Sequence, residues 1–491
     1  TAAVAGPAPQ APRLPTSGWP RGMPTQNDAQ RMETAAPAVT RAAPLRPGQL
    51  TLQALGLSSR EPAKLLRLVG TSCVRLLVCS LLVTAVLERV RPQSHVDLYP
   101  GYVAAAFANE GRWDKVYHRT IWLHGGIDRE WDQRATALTL QPVLGTSFVY
   151  HPFYLKLLQP IAAHWTYRDF QQAWIKLNHV CVAIVGIGVA LLLGLRNFTG
   201  QALITLAIAV AAPTIDSIQH GQNVLPALVC ALAAAACWSG RAPLWLGGLF
   251  LMLAWACKPW CASLLGLCFA LRGIRAGLIT SVVVGVVMGF VPKLVMPATL
   301  MKDYQELTVA MTSASVWGHN NISILSVLER MEYRDWARHL SEWFPRVADL
   351  KLRLTALGIA GSVFGLGALL WWWRRPAARF TSVTFLAFAI MPLGICWTHY
   401  FVFALPLACL CSFDTRSPNA LRALGLGLLY VLLNLLNMVF VTPELQAVYV
   451  VVPPGFPWQQ ALPMLTLGAT CLACMALAPR GQVTGRALWR S

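Results

Sequence analysis

Charge is what this chain has least of: 12% of its 491 residues are Asp, Glu, Lys or Arg and only 21 are acidic, while 56% are hydrophobic. A soluble globular domain carries about twice that share of charge, so a fold solvated by water on all sides is excluded and the bilayer becomes the solvent. No dense acidic pair such as DxD occurs, and we expect no metal. Cysteine is missing from the polar segments. All thirteen Cys lie in apolar runs, so disulfides in the long loops are excluded. Cys471 and Cys474 form a CxxC, but inside a hydrophobic run without nearby His or acid, which reads as packing. The first fifty residues lack an apolar h-region, which excludes a secretory signal peptide there. They carry nine Pro and eleven Ala with Arg13, Arg21, Arg31, Arg41 and Arg46, and a segment of that kind cannot offset its own ordering entropy. Its Arg-rich, acid-poor composition leaves an organellar transit peptide as the alternative.

What is present is a series of long apolar runs separated by arginine. The net charge of +19 lies between these runs and not on a polar domain, so it reports membrane topology and argues against a nucleic-acid partner. Runs near the roughly 20 residues needed to cross a bilayer predict about twelve spans, at 68–87, 174–195, 200–215, 223–239, 242–257, 259–271, 277–297, 352–373, 380–396, 399–412, 420–441 and 459–478. Counted from a cytoplasmic N-terminus, every short basic connection (Arg196, Arg241, Arg272 with Arg275, Arg374 with Arg375 and Arg379, Arg416 with Arg422) falls on the inner side. Arg75, near the inner end of the first span, is placed to snorkel to the headgroups. The stretch 143–163, interrupted by His151, Pro152, Lys156 and Pro160, has to stay out of the count or all of these clusters invert. It reads as an interfacial, juxtamembrane helix.

The expected architecture is an all-α polytopic membrane protein of the inner (plasma) membrane, about twelve transmembrane helices with outward-facing juxtamembrane helices. Its parts are a disordered cytoplasmic tail (1–60), a transmembrane domain (61–479) with extracytoplasmic loops at 88–173 and 298–351, and a cytoplasmic tail (480–491). Fifteen of the 21 acids lie in those two loops. Trp371, Trp372 and Trp373 before Arg374 and Arg375 read as an aromatic belt with its cationic anchor, and Gly358, Gly361 and Gly365 as a close helix-packing face.

Several polar groups reach the outer face together. Asp97 follows the first span and precedes an apolar, helix-like stretch. Its spacing fits an N-cap as well as a general base acting on a sugar hydroxyl. The turn Asp216-Ser217-Ile218-Gln219-His220-Gly221-Gln222-Asn223 is dense in hydrogen-bonding groups, which fits helix-end satisfaction as well as a binding site. Lys258-Pro259 ends an apolar hairpin, where an ammonium serves as an interfacial anchor or neutralises a lipid phosphate. Trp317-Gly318-His319-Asn320-Asn321-Ile322-Ser323 and Trp397-Thr398-His399-Tyr400 complete the set.

Taken with Tyr99 and Tyr150-His151-Pro152, these segments resemble glycosyltransferase family 87, polyprenyl-phosphate-sugar-dependent enzymes of GT-C fold that include phosphatidylinositol mannosyltransferases; the resemblance runs from about residue 69 to 478. It implies an inverting transfer, with mannose the first guess, from a polyprenyl-phosphate donor to a lipid or glycan acceptor outside the membrane. Asp97 is implied as general base, His399 and Lys258 as holders of the donor phosphate, and Gln222, Asn223 and Asn321 as contacts to sugar or phosphate. Tyr99, Asp216, His220, His319 and Asn320 complete the candidate substrate-binding set, and no cofactor beyond the lipid-linked sugar is implied. Other partners are membrane lipids. The rival reading is a polytopic transporter or flippase, against which stands the scarcity of ionisable residues near the span centres; a non-catalytic assembly protein leaves the outward polar cluster unexplained.

The arginine distribution predicts sidedness. A membrane-impermeant thiol reagent applied from outside should label a Cys introduced at Arg129 and spare one at Ser417; the opposite pattern overturns the topology.

Overall fold

The computed structural model describes residues 62–88, 97–117, 128–140, 147–240, 242–316, 321–332, 345–439 and 458–481. The expectations for 1–60 and for most of 480–491 lie outside the described residues. In chain order the helices are α1 (Pro62–Leu87), α2 (Tyr99–Asn109), α3 (Arg129–Thr139) and α4 (Pro152–His164). They continue as α5 (Tyr167–Leu192), α6 (Phe198–Ala209), α7 (Ala212–Gln219), α8 (Val224–Ser239), α9 (Leu244–Cys257) and α10 (Leu265–Arg272). Then come α11 (Ile274–Gly289), α12 (Val291–Val295), α13 (Ala298–Ser313), α14 (Ile324–Glu332) and α15 (Leu350–Arg374). The last are α16 (Ala378–Phe388), α17 (Leu405–Phe413), α18 (Asn419–Val439) and α19 (Trp458–Leu477). Short 3₁₀ helices at Pro259–Leu264 and Thr398–Ala404 lead into α10 and α17. The one departure from an all-helical chain among the described residues is a two-stranded antiparallel ribbon, β1 (Ala314–Val316) against β2 (Pro345–Val347).

Four helical runs are long and apolar enough to cross a membrane: Val69–Leu87, Tyr167–Leu192, Ile274–Val295 and Leu350–Arg374. The pair α6 and α7 makes a fifth only if its 64° bend is counted as one broken span. Seven shorter apolar helices, from Val224–Ser239 to Ala461–Leu477, stand where the remaining spans were expected. By length and composition the described residues thus show four or five of the twelve expected spans, and breaks at Pro213, Lys258-Pro259 and the Thr398–Ala404 segment divide some of the other apolar runs into shorter helices. Pro explains two of these breaks: it lacks an N–H and pushes the residue before it out of helical geometry.

The 143–163 stretch forms α4, a 13-residue helix containing Pro160 that is not among the spanning candidates. Its buried side, Tyr154, Leu155 and Leu158, packs on α2. The approach is close enough that a Cβ on Gly101 would stand 2.7 Å from Leu158 Cδ1. α5 starts at Thr166, whose hydroxyl accepts the Asp169 N–H (3.2 Å) and donates to the Asp169 carboxylate (2.7 Å), so that two end groups of the helix satisfy each other.

Two expectations for α15 divide. Arg375 stacks its guanidinium on Trp371 and Trp372, 4.4 and 4.3 Å from the ring centroids, so the belt and its cation are one unit. Gly358, Gly361 and Gly365, however, have nothing within 4 Å of where a Cβ would stand; the residue that packs closely is Gly367, 2.7 Å from the Phe388 ring. The three-and-four spacing marks the open face of the helix, not its contact face.

Arginines expected on the inner side converge. Arg379 and Arg416 both pair with Asp414, which is 2% exposed, and Arg379 Nη1 donates to the Leu192 carbonyl at 3.1 Å, tying the end of α5 to the turns flanking α16 and α17. Arg75 Nη1 donates to the Arg196 carbonyl at 2.9 Å, which puts it at the same end as Arg196. Ser417 is buried, so the exposed Pro418 beside it is the better position for thiol labelling.

Arg379→Met leaves a buried carboxylate short of its closest cation, a defect of about 3 kcal/mol. The melting temperature in detergent should drop, and adding Asp414→Asn should recover part of the loss. A double variant no more stable than the single one would show that the pair is not the source.

Candidate functional site

The site is assembled from chain breaks. α9 stops where Pro259 forces Lys258 into extended backbone (φ −140°, ψ 107°), and this turns the lysine inward, where it is 4% exposed. α7 ends at His220, and Gly221 takes φ 65°, a left-handed conformation that Gly adopts without a Cβ penalty. That turn frees the Gly221 carbonyl to accept Trp174 Nε1 (3.0 Å) and brings Gln222 round to face Lys258. Asn223 locks the two breaks together, donating from Nδ2 to the Cys257 carbonyl at 2.8 Å.

Lys258 Nζ donates to Gln222 Oε1 at 2.7 Å, and the same amide donates from Nε2 to the Asp97 carboxylate. Asp97 is pinned from its backbone as well, its N–H donating to the His220 carbonyl at 3.2 Å. The cap of α2 is Leu98, with no side-chain cap bond. Asp97 is therefore not an N-cap, and of the two readings its spacing allowed, the capping one is overturned. The ammonium also stands over two aromatic faces, Tyr150 (5.2 Å) and Tyr400 (4.9 Å), a cation–π setting that helps offset its desolvation.

Behind this line lies a second buried charge. Past the 64° bend, α7 presents Asp216, fully buried, to the Thr398 hydroxyl and to His399 Nδ1, both at Oδ2, the imidazole at 3.2 Å. His220 Nδ1 lies 2.9 Å from the Asp216 carbonyl and 3.0 Å from Oδ1; the directed bond is to the carbonyl, and Oδ1 receives only the ionic contact. Burial opposes a charge on His220, but Asp216 more than offsets it and holds the ring above the ordinary histidine pKa. His399 is buried, and its Nε2 has no partner among the described residues. Asp97 and Lys258 both lie close enough to act on it electrostatically. Buried polar atoms are nearly always satisfied, so this nitrogen is a candidate contact for a substrate group.

Lys258 helps to line a cavity of about 560 Å³. Tyr150, Tyr304, Trp397 and Tyr400 line it beside apolar groups such as Leu307, Met311 and Met391. Asp97, Asp216, His220 and His399 are not in its wall. Asp97 faces the opposite end of the Gln222 amide and is partly exposed.

The other candidates fall outside this constellation. Tyr99 is buried with its ring 6.0 Å from Trp131 and does not line the cavity. Asn321 Oδ1 accepts the backbone N–H groups of Cys396 (2.9 Å) and Ser323 (3.3 Å), and its backbone bridges Trp397. It holds the strand that carries Thr398 and His399. His319 and Asn320 lie outside the described residues. In the sequence Thr398, Tyr150 and Tyr400 stand out only as parts of motifs, and Arg353, another cavity residue, does not stand out at all. No spacing signal distinguishes an arginine in the first turn of a span from an interfacial anchor. Among the described residues no group of three His, Cys, Asp or Glu is arranged to hold a metal.

A family model, glycosyltransferase family 87, matches residues 148–396. The chain belongs to glycosyltransferase family 87. It is a glycosyltransferase built on apolar helices. The matched residues hold Tyr150, Asp216, Gln222, Lys258 and Asn321, whereas Asp97 and His399 lie outside them and reach the site through the fold. No curated protein and no solved structure matches the chain significantly.

His151, part of the same tyrosine segment, is structural. Its Nδ1 accepts the Phe153 N–H (3.2 Å) and its Nε2 stands 3.1 Å from the Met288 carbonyl, which fixes the neutral Nε2–H tautomer. Burial lowers its pKa to about 4, against the pull of that carbonyl. A histidine depressed by folding contributes stability that is complete above its ordinary pKa near 6.5 and is lost as pH falls through about 4. His151→Asn keeps an acceptor for the helix end and removes the titration. The wild-type melting temperature should therefore fall more steeply than the variant's between pH 6.5 and 4, and parallel curves would rule out His151 as the controlling group.

Proposed function

We propose that the protein transfers a sugar, with inversion, from a polyprenyl-phosphate donor to a lipid or glycan acceptor at the outer face of the plasma membrane. The observation that carries this reading is the line Asp97–Gln222–Lys258, with a proton acceptor at one end, an ammonium at the other, and a largely apolar cavity that the same lysine helps to line. Inverting transfer needs a base for the incoming hydroxyl on one side of the sugar and a cation for the departing phosphate on the other. Asp97 serves as the base. Lys258 stabilises the leaving phosphate, and His399, whose Nδ1–H faces Asp216, donates from Nε2 to the same anion as an imidazolium. The lipid tail of the donor suits the apolar lining. Mannose is the sugar we propose, on the family resemblance, and the arginine distribution supports placing the site outside.

The broken α6–α7 pair with a buried acid is a feature that transporters also show. Here the acid holds Thr398 and His399 at Oδ2 and has His220 in ionic contact at Oδ1, which fits a support for the site better than an ion path.

Asp97→Asn preserves shape and the contact to Gln222 but removes proton acceptance. Turnover from a polyprenyl-phosphate sugar should fall by about 10² to 10⁴, with donor binding and melting temperature near wild type. An active Asp97→Asn enzyme would sink the assignment of the base, since the structure has already removed the capping role that Asn would have preserved.

A further inference from the structure

The cavity that Lys258 helps to line has a second cation in its wall. Arg353 stands in the first turn of α15, the 25-residue apolar helix long enough to cross a membrane, and lines the cavity together with Ala356 and Leu357 on the following turn. Its guanidinium is half-buried, and among the described residues it makes no ion pair. This is unusual where the neighbouring acid, Asp349, is already used by the N–H groups of Lys351 and Leu352. The same helix is otherwise open: Leu354 is 59% and Leu357 46% exposed. On a membrane-spanning helix such a face meets lipid. One wall of the cavity is thus shared with the bilayer, with a free cation at the end of the span and leucines leading toward its middle.

We infer that Arg353 is a second anion-binding group of this cavity, recognising the phosphate of a long-chain lipid monophosphate whose hydrocarbon lies along the α15 wall at Ala356 and Leu357. Two cations in one apolar enclosure match a ligand that is anionic at its head and apolar beyond it, and an unpaired guanidinium in such a place is most stable when an anion fills it. The inference rests on the reading of the donor as a lipid phosphate and extends it to the route and the second contact. Arg353 is assigned to binding and not to the chemical step, because it stands outside the Asp97–Gln222–Lys258 line.

The test uses the full chain in detergent and titrates farnesyl phosphate, farnesol and inorganic phosphate by calorimetry, on the wild type, Arg353→Gln and Arg353→Lys. Loss of one charge-assisted contact should weaken farnesyl phosphate about tenfold in Arg353→Gln, leave farnesol unchanged, and be largely reversed in Arg353→Lys, with all three proteins melting alike. Equal affinity of wild type and Arg353→Gln for farnesyl phosphate overturns the role of Arg353 while leaving the donor reading in place. A wild type that does not prefer farnesyl phosphate to farnesol overturns the donor reading itself. Inorganic phosphate binding as tightly as farnesyl phosphate makes this a free-phosphate site and overturns the lipid assignment.

Discussion

A lysine ammonium sealed among apolar helices is the constraint on which the site depends. Lys258 is 4% exposed, and an uncompensated charge there costs several kcal/mol. The chain answers with one hydrogen-bond acceptor, Gln222, and two aromatic faces. Each answer imposes a local rule. Pro259 has to stop α9 so that Lys258 turns inward; Gly221 has to accept positive φ so that Gln222 reaches it; and Asn223 has to hold the two breaks in register through the Cys257 carbonyl. The broken helices that spoil a simple count of spans are the means by which polar groups enter an apolar bundle, since backbone freed by a break is tolerated there only where protein or a cavity satisfies it.

The neutral amide between Asp97 and Lys258 matters for the same reason. A carboxylate and an ammonium in direct contact form an ion pair, each spent on the other. With Gln222 between them, the carboxylate keeps its capacity to accept a proton and the ammonium keeps a face toward the cavity. Asp216 follows the opposite design: one oxygen holds Thr398 and His399 and the other stands beside His220 in ionic contact, so the acid organises the two histidines. Two acids beside the same turn thus have different work, and the difference lies in who their partners are.

Much of this was legible in the sequence, though not evenly. Apolar runs and arginines located nearly every helix, because hydrophobic length and charge are properties of consecutive residues. The outer polar residues could be gathered on one face for the same reason. What the sequence concealed depends on three-dimensional direction. Asp97 read equally well as a cap until the structure put Leu98 at the helix end. Gly358, Gly361 and Gly365 had the spacing of a packing face and turned out to face open space. Asn321 sits in a polar motif, yet its side chain is spent on backbone amides. Arg353 gave no signal because an arginine at the end of a span is ordinary; only the cavity beside it makes it notable.

The bridging amide also links the two halves of the proposed reaction. Both ends of Gln222 are occupied, its carbonyl by Lys258 and its amino group by Asp97. On the proposed reading, a donor phosphate arriving through the cavity competes with the Gln222 carbonyl for the ammonium, since an anion is the stronger acceptor. The amide then loses the contact that fixed its orientation, and its hold on Asp97 weakens in the same event. The carboxylate becomes available to the acceptor hydroxyl once the leaving group is seated and its charge is countered. A base exposed before the donor binds has nothing useful to deprotonate, and water is the nearest hydroxyl to hand; an amide shared by base and cation ties the readiness of the first to the occupancy of the second without a moving lid or a long-range signal.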